Sequence, residues 1–563
     1  MKNIAKISFA VLLFLVILKG NSYAQVDLVE MHDYIYTYLE RMYNNGIIQS
    51  YNSSISPISR GSIIKYLSEI RENQNKISAT DKSFLKKYLV EYNVDNNDNN
   101  EISFLSKPSL ANVFNNEKQK YLYIYKDSTF NFYLDGLGNF TERIFRGDSL
   151  GNHKSLTGEL GIRFRANYND IVAAYLQVSN GDQLSGTPED FEAVKKTNPK
   201  INATGSISDF TRTFFDRYEG YLRYQAKTNW VAVSVGRYGL SQGAGFIDNL
   251  FMSKNSIPFD FVKLDLNSKI FRYSYLYGSL RGDSLGKNLD SKSIASHRLD
   301  INVSNSCRIG FFESIIISNS PFSFTFLNPI SFLTSAEFNK ASQGTNKDIN
   351  NSLLGFDVFV KPANKLSLQG SLLVDDLKFS TLFTSESSKI NKFGIQGGAF
   401  WTDAFTVPNL NLKLEYTRLS AFVYSHSSNK STYTNWDYSL GHALPPNSDE
   451  IAAQLEYPIS SRLKMKVDYK FQRSADGFVK DANGNIIENY GGEISNSTAQ
   501  YQSTSTFLKG DRKNRNIVEI NLEFEPIKQY YININYVNKI FDNIFESRSL
   551  KDNYFTVTAK VEY

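Results

Sequence analysis

The sequence predicts an all-β transmembrane barrel of about 18 antiparallel strands, preceded by a small N-terminal α-helical domain. Alternating apolar and polar residues recur in segment after segment from Tyr121 to Tyr563, and the breaks between segments alternate between long and short. The composition agrees with this. Aromatic residues make up 14% of the 563 residues and the mean hydropathy is only -0.35, which suits many half-apolar strands better than bundled apolar helices.

Residues 1–24 are typical of a secretory signal peptide. Two early lysines precede an apolar run from Ile7 to Leu18, and small residues end the segment at Ser22 and Ala24, so we expect cleavage after Ala24. A lipoprotein needs a cysteine directly after the apolar run, and the only cysteine is Cys307. Export without a lipid anchor is therefore expected, and a lone cysteine leaves no intramolecular disulfide or multi-cysteine metal site.

Residues 25–92 are predicted to form a periplasmic domain of about three helices. Ser59 and Thr80 are candidate caps for the second and third helices. The apolar residues at helical spacing are Leu28, Met31, Ile35, Tyr38, Leu39 and Met42, then Ile63, Leu67 and Ile70, then Phe84, Leu85, Tyr88 and Leu89. Residues 93–120 are predicted to be a linker, because "NVDNNDNNE" lacks the glycine and distal glutamate of a calcium-binding EF-hand loop.

Residues 121–563 are predicted to form the barrel. In "NIVEINLEFEPIKQYYININY", residues 516–536, apolar side chains occupy every second position on both sides of a short break, which indicates a hairpin. Outer-membrane barrels have long outer loops and short periplasmic turns. Counted back from the terminal strand "YFTVTAKVEY", long breaks at 539–552, 472–515 and 421–449 and a moderate one at 384–392 alternate with short ones at Pro526, 458–461, 407–409 and 361–365.

A soluble β-sandwich is the main alternative, because it uses the same alternation with one wet face. It gives no reason for long and short loops to alternate. In the strand 462–471, Leu463, Met465, Val467, Tyr469 and Phe471 alternate with Arg462, Lys464, Lys466, Asp468 and Lys470. So many charges on one face suit a water-filled lumen, and we interpret the apolar face as lipid-facing.

Charge and hydropathy exclude other classes. The chain has 62 basic and 57 acidic residues, a net charge of +5, so no nucleic-acid surface is expected. Beyond the signal segment, no run approaches the roughly 20 apolar residues of a spanning helix. Outer-membrane lipid is therefore expected to contact strands.

Several segments resemble the capsule assembly protein Wzi family. The similar stretches include "VSVGRYGLSQGAGFIDNLFMSKNSIPFDFV" (233–262), "HRLDINVSNSCRIGFFESIIIS" (297–318), "NSLLGFDVFV" (351–360) and the loop and strand 424–457. The resemblance implies an eighteen-stranded outer-membrane barrel with a periplasmic helical bundle. It also implies a lectin-like role in holding capsular or extracellular polysaccharide at the cell surface, with the polysaccharide export machinery as a candidate partner.

Residues 34–70 are also similar to S-layer homology modules, with Gly46, Pro57 and Arg60 in matching places. This similarity implies the cell wall as a further candidate partner.

Six residues of one predicted outer loop are the candidate glycan-binding set. Aromatic faces suit the C–H surfaces of sugars, and carboxylates accept hydrogen bonds from hydroxyl groups. The set is Tyr424, His426, Tyr433, Trp436, Asp437 and Tyr438. An aromatic girdle with ordinary loop residues is the alternative interpretation, and zinc binding by the scattered histidines is not expected.

Five further residues are candidates for a polar network in the lumen and loops: Arg237, Arg308, Glu313, Asp357 and Asp376. Glu313 has the parity of apolar neighbours, and a carboxylate facing hydrocarbon is costly. We therefore expect a bulge that turns Glu313 inward, opposite Arg308 or Arg237. Asp375 and Asp376 are adjacent in a strand, so they point to opposite faces and cannot share one site.

No catalytic residue, metal site or cofactor is predicted. "GLSQG" around Ser241 matches a hydrolase nucleophile elbow, but it opens a glycine-rich loop in which Gly239, Gly243 and Gly245 let the backbone fold into the barrel mouth. "RGDSLG" occurs at 146–151 and 281–286, where turn chemistry explains it.

Two functions remain: a non-enzymatic barrel that binds or exports surface polysaccharide, and a diffusion channel for small solutes. Loops packed into the mouth above a helical plug would favour the first.

Overall fold

The barrel is closed, as predicted. The computed structural model describes residues 25–202, 213–281, 291–318, 324–336, 350–375, 392–426, 428–484, 486–495 and 506–563. Eighteen long antiparallel strands each pair with the next in sequence, and the last pairs with the first. A short strand, Tyr123–Lys126, pairs beside one end of this seam. Because the sheet closes on itself, its long strands leave no free edge.

The barrel strands vary from 8 to 18 residues. They are β1 (Phe130–Gly147), β2 (His153–Tyr168), β3 (Val172–Ser185), β4 (Phe215–Gln225), β5 (Val231–Tyr238), β6 (Phe259–Asn267), β7 (Phe271–Arg281), β8 (Ser291–Ser304), β9 (Cys307–Ser318), β10 (Asn351–Ala363), β11 (Leu366–Asp375), β12 (Lys392–Thr402), β13 (Asn411–Leu419), β14 (Ser448–Pro458), β15 (Leu463–Asp476), β16 (Asp511–Ile527), β17 (Tyr530–Asn543) and β18 (Arg548–Glu562).

The apolar stripe of the 516–536 hairpin faces outward. Ile520 pairs with Tyr536 and Phe524 with Ile532 across β16 and β17, and all four side chains are exposed. Polar residues such as Glu519 have the opposite parity, and Glu519 accepts a hydrogen bond from Asn535 at 2.6 Å. The barrel therefore presents apolar side chains outside and polar ones inside, the alternation of a lipid-embedded barrel with a polar interior.

Connections divide the barrel into a turn end and a loop end. The turn end carries 169–171, 226–230, 268–270, 305–306, 364–365, 403–410, 459–462 and 528–529, and the loop end carries the others. The break expected at 539–552 is only 544–547, because β17 and β18 continue as paired strands beyond the apolar pattern. Similarly, β16 continues through Pro526 to Ile527.

Three helices form the N-terminal domain: α1 (Ile35–Asn44), α2 (Arg60–Glu72) and α3 (Ala79–Glu91). Ser59 caps α2 through the Ser62 amide, as predicted. The cap of α3 is Ser78 rather than Thr80, and its side chain accepts from the Asp81 amide. Among the described residues, no helix combines the length and apolar content needed to cross a bilayer.

The N-terminal domain lies in the turn end of the barrel rather than apart from it. The Tyr43 hydroxyl donates to the Asn305 carbonyl at 2.6 Å, and the Lys365 amide donates to the Asn44 carbonyl at 2.7 Å. On the opposite wall, Lys87 is 2.5 Å from Glu525. We call residues 25–92 the plug. Its apolar core joins α1, α2 and α3 and extends to Phe246, Phe359 and Phe400 of the barrel.

The chain between plug and barrel continues along the turn end. Glu101–Ser103 pairs in parallel with Gln119–Tyr121, and a short helix, α4 (Leu110–Val113), lies between them. Gln529 in the β16–β17 turn binds both the amide and the carbonyl of Lys120. The first long strand therefore begins at Phe130 rather than at Tyr121. Two more helices, α5 (Pro188–Thr197) and α6 (Pro199–Asn202), lie at the loop end.

Candidate functional site

The loop between β5 and β6, residues 239–258, folds into the barrel from the loop end. Glu415 of β13 accepts hydrogen bonds from the amides of Phe246 at 2.9 Å and Asp248 at 3.2 Å. Gly243 has φ +148°, and a Cβ there would lie 2.6 Å from Asn249. A side chain would not fit in this conformation, so the glycine permits the inward turn. We call 239–258 the inward loop.

The loop between β13 and β14, residues 420–447, covers the inward loop. Tyr424 and Tyr433 stack with their ring centroids 5.6 Å apart, and both are fully buried. The Tyr424 hydroxyl donates to the Leu250 carbonyl at 2.6 Å, and the Tyr433 hydroxyl donates to the Phe251 carbonyl at 2.8 Å. Burial raises the pKa of the Tyr424 phenol well above its usual value, so it remains a hydrogen-bond donor.

Removing both hydroxyls should loosen this cover. Tyr424→Phe with Tyr433→Phe leaves two buried carbonyls without these partners, and each lost hydrogen bond costs roughly 0.5–1.5 kcal/mol. We expect faster proteolysis within 239–258 and a lower unfolding temperature in detergent. Tyr469→Phe is the matched control, because the Tyr469 hydroxyl binds Asn516 on the exposed outer wall. Equal proteolysis of the double variant and the control would show that these hydroxyls do not hold the loop.

Arg41 joins the plug to the turn end. Its guanidinium lies 3.1 Å from Asp81 of α3 and 3.1 Å from Asp403, and it donates to Asn409 at 2.8 Å and Asn411 at 3.2 Å. Burial alone would lower the pKa of this guanidinium, whereas the Asp81 and Asp403 carboxylates raise it above its usual value. One buried cation therefore binds α1, α3 and the β12–β13 turn together.

The plug and the inward loop meet inside the barrel. Ile55–Ser56 pairs with Ser241–Gln242 as a two-stranded sheet, and the Gly243 amide donates to the Ser54 carbonyl at 2.9 Å. The lumen therefore contains a continuous hydrogen-bonded column from the plug to the loop end. This arrangement is the one that favours the binding protein over the diffusion channel.

A buried ion network connects this column to the wall. Arg298 is fully buried and binds Asp357 through two hydrogen bonds of 2.7 and 2.8 Å. It also lies 2.7 Å from Asp300, which accepts a hydrogen bond from Asn52 of the plug at 3.1 Å. Arg308 donates to the nearby Tyr51 carbonyl at 3.5 Å. Arg308 and Asp357 thus lie in one region of the lumen. The residue at the centre of this network, Arg298, was not among the residues predicted from the sequence.

Two polar cavities remain beside the column. One of about 420 Å³ lies between α1 and the inner faces of β13 to β16, and one of about 340 Å³ lies beside α3. Asp33 lines both cavities. Burial, reinforced by the Glu91 carboxylate, raises the pKa of Asp33 to about 7. Burial lowers the pKa of His32, which also lines both cavities, to about 4.

Trp436, Asp437 and Tyr438 lie at the tip of a small hairpin at the loop end. Thr434–Asn435 pairs with Tyr438–Ser439, and both turn residues have positive φ, +56° at Trp436 and +63° at Asp437. This backbone normally favours glycine or asparagine. Arg281 lies 3.6 Å from the Trp436 ring centroid. Asp437 and Tyr438 border a cleft of about 360 Å³ whose far wall is Glu493, Ile494 and Ser495.

The other three candidate glycan residues are not on this surface. Tyr424 and Tyr433 are fully buried, and His426 is buried with its Nδ1 accepting from the Ser428 amide at 3.2 Å. Their ring faces are covered by protein, so direct sugar stacking on them does not fit this structure. The sequence placed all six residues in one loop, but it could not show which side of the loop packs inward.

The expected bulge at Glu313 does not occur. The register of β8 and β9 is unbroken from Lys292–Ser318 to Asn302–Arg308, so Glu313 keeps the outward parity. It is buried because residues 324–336 pack over the outer wall. His297 lies 2.7 Å away, and the amides of Leu333 and Thr334 donate to the carboxylate at 3.0 and 2.7 Å. A loop segment, rather than an inward turn, shields this charge.

Arg237 is likewise separate from the lumen network. It lies over the Tyr218 ring and 3.5 Å from Asp260, both of them exposed. Neither Arg237 nor Arg308 is opposite Glu313. Asp376 lies outside the described residues. Its neighbour Asp375 is buried and accepts from the Tyr424 amide at 2.6 Å.

Ser241 has a structural environment. It is buried, its hydroxyl donates to the Met252 carbonyl at 3.1 Å, and it accepts from the Asn249 amide group at 2.9 Å. Neither partner is a general base. In the part of the chain that the structure describes, no group of three or more His, Cys, Asp or Glu residues could hold a metal ion.

Comparison with known proteins gives a family and a fold. The family described as "Capsule assembly protein Wzi" matches residues 140–517. A solved structure of Wzi, an outer-membrane protein from Escherichia coli described as a carbohydrate-binding β-barrel involved in group 1 capsule assembly, superimposes with a TM-score of 0.56. It shares 14% identity, and the match covers 95% of this chain and 99% of that chain. No curated protein sequence matches this chain.

Two further solved structures have lower similarity. OprD from Pseudomonas aeruginosa has a TM-score of 0.42 at 11% identity, with 77% of this chain and 95% of that chain covered. OccAB4 from Acinetobacter baumannii has a TM-score of 0.42 at 10% identity, with 78% and 99% covered.

Proposed function

Since this chain belongs to the capsule assembly protein Wzi family, we propose that it is an outer-membrane barrel that binds capsular or extracellular polysaccharide at the cell surface. The observation that carries this proposal is the packing of the lumen, where the plug pairs with the inward loop through Ile55–Ser56 and Ser241–Gln242. A column across the lumen obstructs diffusion of solutes. It also holds the loop end as a fixed surface, which lowers the entropy cost of binding a flexible chain.

The proposed orientation places the loop end outside the cell and the turn end in the periplasm. Short turns and both barrel termini lie at the turn end, as in outer-membrane barrels. The proposal includes export by a signal peptide cleaved after Ala24, the plug 25–92, the connecting segment 93–120 and a barrel within 121–563. The apolar outer wall would contact outer-membrane lipid, with export machinery and cell wall as further partners.

The proposed glycan contact is the hairpin tip with its cleft. A strained turn that carries tryptophan and aspartate, where glycine or asparagine would be more stable, is a hint of function. Trp436 offers an indole ring beside Arg281, while Asp437, Tyr438 and Glu493 offer hydrogen-bonding groups on the two sides of the cleft. An aromatic face with flanking carboxylates and hydroxyls is the chemistry that sugar rings require. No hydrolytic step is part of the proposal.

A substitution in the hairpin can test glycan binding without lowering the stability of the fold. Replacing Trp436→Asn with Asp437→Gly gives the turn the sequence that its backbone favours, so the unfolding temperature should stay the same or rise. Affinity for the polysaccharide purified from the same cells should fall by about tenfold, because an aromatic and a charged contact are both lost. Binding is measured by surface plasmon resonance on the detergent-solubilised protein.

The matched control is Phe545→Ala, which removes an exposed aromatic residue from the 544–547 turn at the same end. Its affinity should equal that of the unsubstituted protein. Unchanged affinity in the Trp436→Asn, Asp437→Gly variant would remove the tip from the binding surface.

A further inference from the structure

The turn end contains a cleft whose charge differs from that of the two inner cavities. It has a volume of about 570 Å³ and lies between α2, the segment 50–58 and the turn-end halves of β4, β6 and β7. Six cationic side chains and one carboxylate, Asp265, line it. The two inner cavities have seven carboxylates each, against four lysines in one and six lysines and arginines in the other. Only this cleft carries a large positive excess among the three.

Three lysines from three different elements form the rim of the cleft. Lys65 is on α2, Lys227 is in the β4–β5 turn, and Lys269 is in the β6–β7 turn, and all three are exposed. Among the described residues, none of them forms a salt bridge to a carboxylate of this chain, unlike Lys87 with Glu525 elsewhere at the turn end. Their charges are therefore available to an anion from outside.

The floor of the cleft is also built from cations. Arg223 is 5% exposed, donates to Ser234 at 2.8 Å and Gln225 at 3.0 Å, and lies 3.5 Å from the Asp265 carboxylate, while its Nε has no hydrogen-bond partner. A buried guanidinium N–H without an acceptor is costly, and an anionic oxygen would satisfy it. Lys263 beside it is buried and donates to Asp265 at 2.9 Å.

Arg272 also lines this cleft, and its guanidinium is already bound to the backbone of the plug. It donates to the carbonyls of Asn52 at 2.8 Å and Ile55 at 3.2 Å, so it holds the plug against the wall. Its positive charge still contributes to the potential in the cleft, but its replacement would disturb the plug. The rim lysines make no such contact, which makes them the residues to substitute.

We propose that this cleft binds a segment of an anionic saccharide chain, with sugar carboxylates between Lys65, Lys227 and Lys269 and one of them near Arg223. The volume is within the 300–1,000 Å³ typical of ligand sites. Cations on three separate elements match charges repeated along a chain better than one small ion. The polar wall, which includes Asn229, Asn267 and Asn302, supplies donors and acceptors for hydroxyl groups.

The charge of the inner cavities indicates that a saccharide bound in this cleft does not continue from it through the lumen. A chain that left the cleft for either cavity would meet an excess of carboxylates, and the column of plug and inward loop lies between the two ends. The site therefore serves retention or sensing of an anionic glycan on the turn-end side. In the orientation proposed above, that side is the periplasm. The binding chemistry itself does not depend on the proposed surface function.

The test uses the full-length protein in detergent and a fluorescently labelled hexamer of galacturonic acid, read by fluorescence anisotropy. We expect saturable binding that weakens when sodium chloride rises from low to high concentration, because exposed charges are screened. Lys65→Gln with Lys227→Gln and Lys269→Gln should weaken binding by about tenfold. The control triple variant, Lys82→Gln with Lys86→Gln and Lys107→Gln, removes equally exposed lysines outside the cleft and should bind normally.

Two competitors identify the ligand chemistry. Unlabelled maltohexaose, a neutral chain of equal length, should not displace the probe, and neither should inorganic phosphate at the same molar concentration. Displacement by maltohexaose, displacement by phosphate alone, or equal binding by the two triple variants would overturn the proposal.

The hairpin variant separates this site from the proposed surface function. Trp436→Asn with Asp437→Gly should leave galacturonate binding intact. If the hairpin variant no longer binds the galacturonate probe while the Lys65, Lys227 and Lys269 variant still binds it, the anion binds at the loop end. That result would refute the cleft assignment and leave the proposed surface function unaffected. If neither variant changes binding, the cleft assignment fails on its own.

Discussion

Deleting residues 25–92 is expected to turn a barrel with little ion conductance into an open pore. An eighteen-stranded barrel without a plug is wide enough for an aqueous channel. Here the plug fills the turn end and pairs with the inward loop. In planar lipid bilayers, the full-length protein should show no regular conductance steps. The deletion variant should show steps at least about ten times larger than residual leak, in line with porins of this strand number.

The inward loop provides an internal control for the same measurement. Shortening 241–255 in addition to the deletion should increase the step size, because the loop-end half of the column is then also lost. Heat-dependent mobility on denaturing gels verifies that each variant still forms a barrel. Regular steps of equal size from the full-length protein and the deletion variant would mean that the plug does not close the lumen, and the diffusion channel would regain support.

Arg41→Ala is expected to release the plug from the turn end. The substitution leaves the carboxylate of Asp81 buried and that of Asp403 half-buried, both without this partner, and it removes hydrogen bonds to Asn409 and Asn411. Loss of one partner from a buried ion pair typically costs about 3–5 kcal/mol. The free energy of unfolding of the plug should fall by that amount. A urea titration that follows the helical circular dichroism signal measures it, because α1 to α3 supply most of the helix.

Arg71→Ala is the matched control for Arg41→Ala. Arg71 also pairs with an aspartate, Asp95, at 2.5 Å, but both side chains are substantially exposed, so its loss should cost at most about 1 kcal/mol. A similar urea midpoint for the two variants would show that the Arg41 contacts contribute no more than a surface ion pair.

The sequence predicted the parts of the fold that follow from local periodicity. Val518, Ile520, Leu522 and Phe524 alternate because the outer wall and the lumen are on opposite sides of one strand, and the structure places Ile520 and Phe524 on the outer wall. The alternation of long and short connections was also predicted, because successive connections lie at opposite ends of the barrel. The pattern weakens toward the loop end, where β17 and β18 remain paired up to Asn543 and Arg548, and this is why the 544–547 turn was expected to be longer.

The sequence could not predict contacts between segments far apart in the chain. Glu415 binds amides of the inward loop about 170 residues away, and Arg41 binds a turn more than 360 residues away. Neither contact leaves a local pattern. Arg298 and Asp300 are two positions apart in "HRLDIN", so their side chains point to the same face of the strand, and this indicates a charged inner face. The spacing does not indicate that Asp357, on another strand, is the third member of the ion network.

The candidate site was predicted only in part for the same reason. Trp436, Asp437 and Tyr438 border the loop-end surface, whereas Tyr424 and Tyr433 hold the inward loop. All five residues are of types that suit sugar binding, and burial alone separates them. Glu313 shows a related difficulty, because a carboxylate on the apolar face can be shielded by a loop as well as by a bulge.

The most direct measurement of the central claim is the amount of polysaccharide attached to cells compared with the amount released into the medium, with and without the gene. Deletion should shift polysaccharide from the cell-attached to the released fraction while total synthesis stays the same. Restoring the full-length chain should reverse the shift, and restoring the Trp436→Asn, Asp437→Gly variant should reverse it only partly. An unchanged ratio of attached to released polysaccharide in the deletion strain would contradict the account.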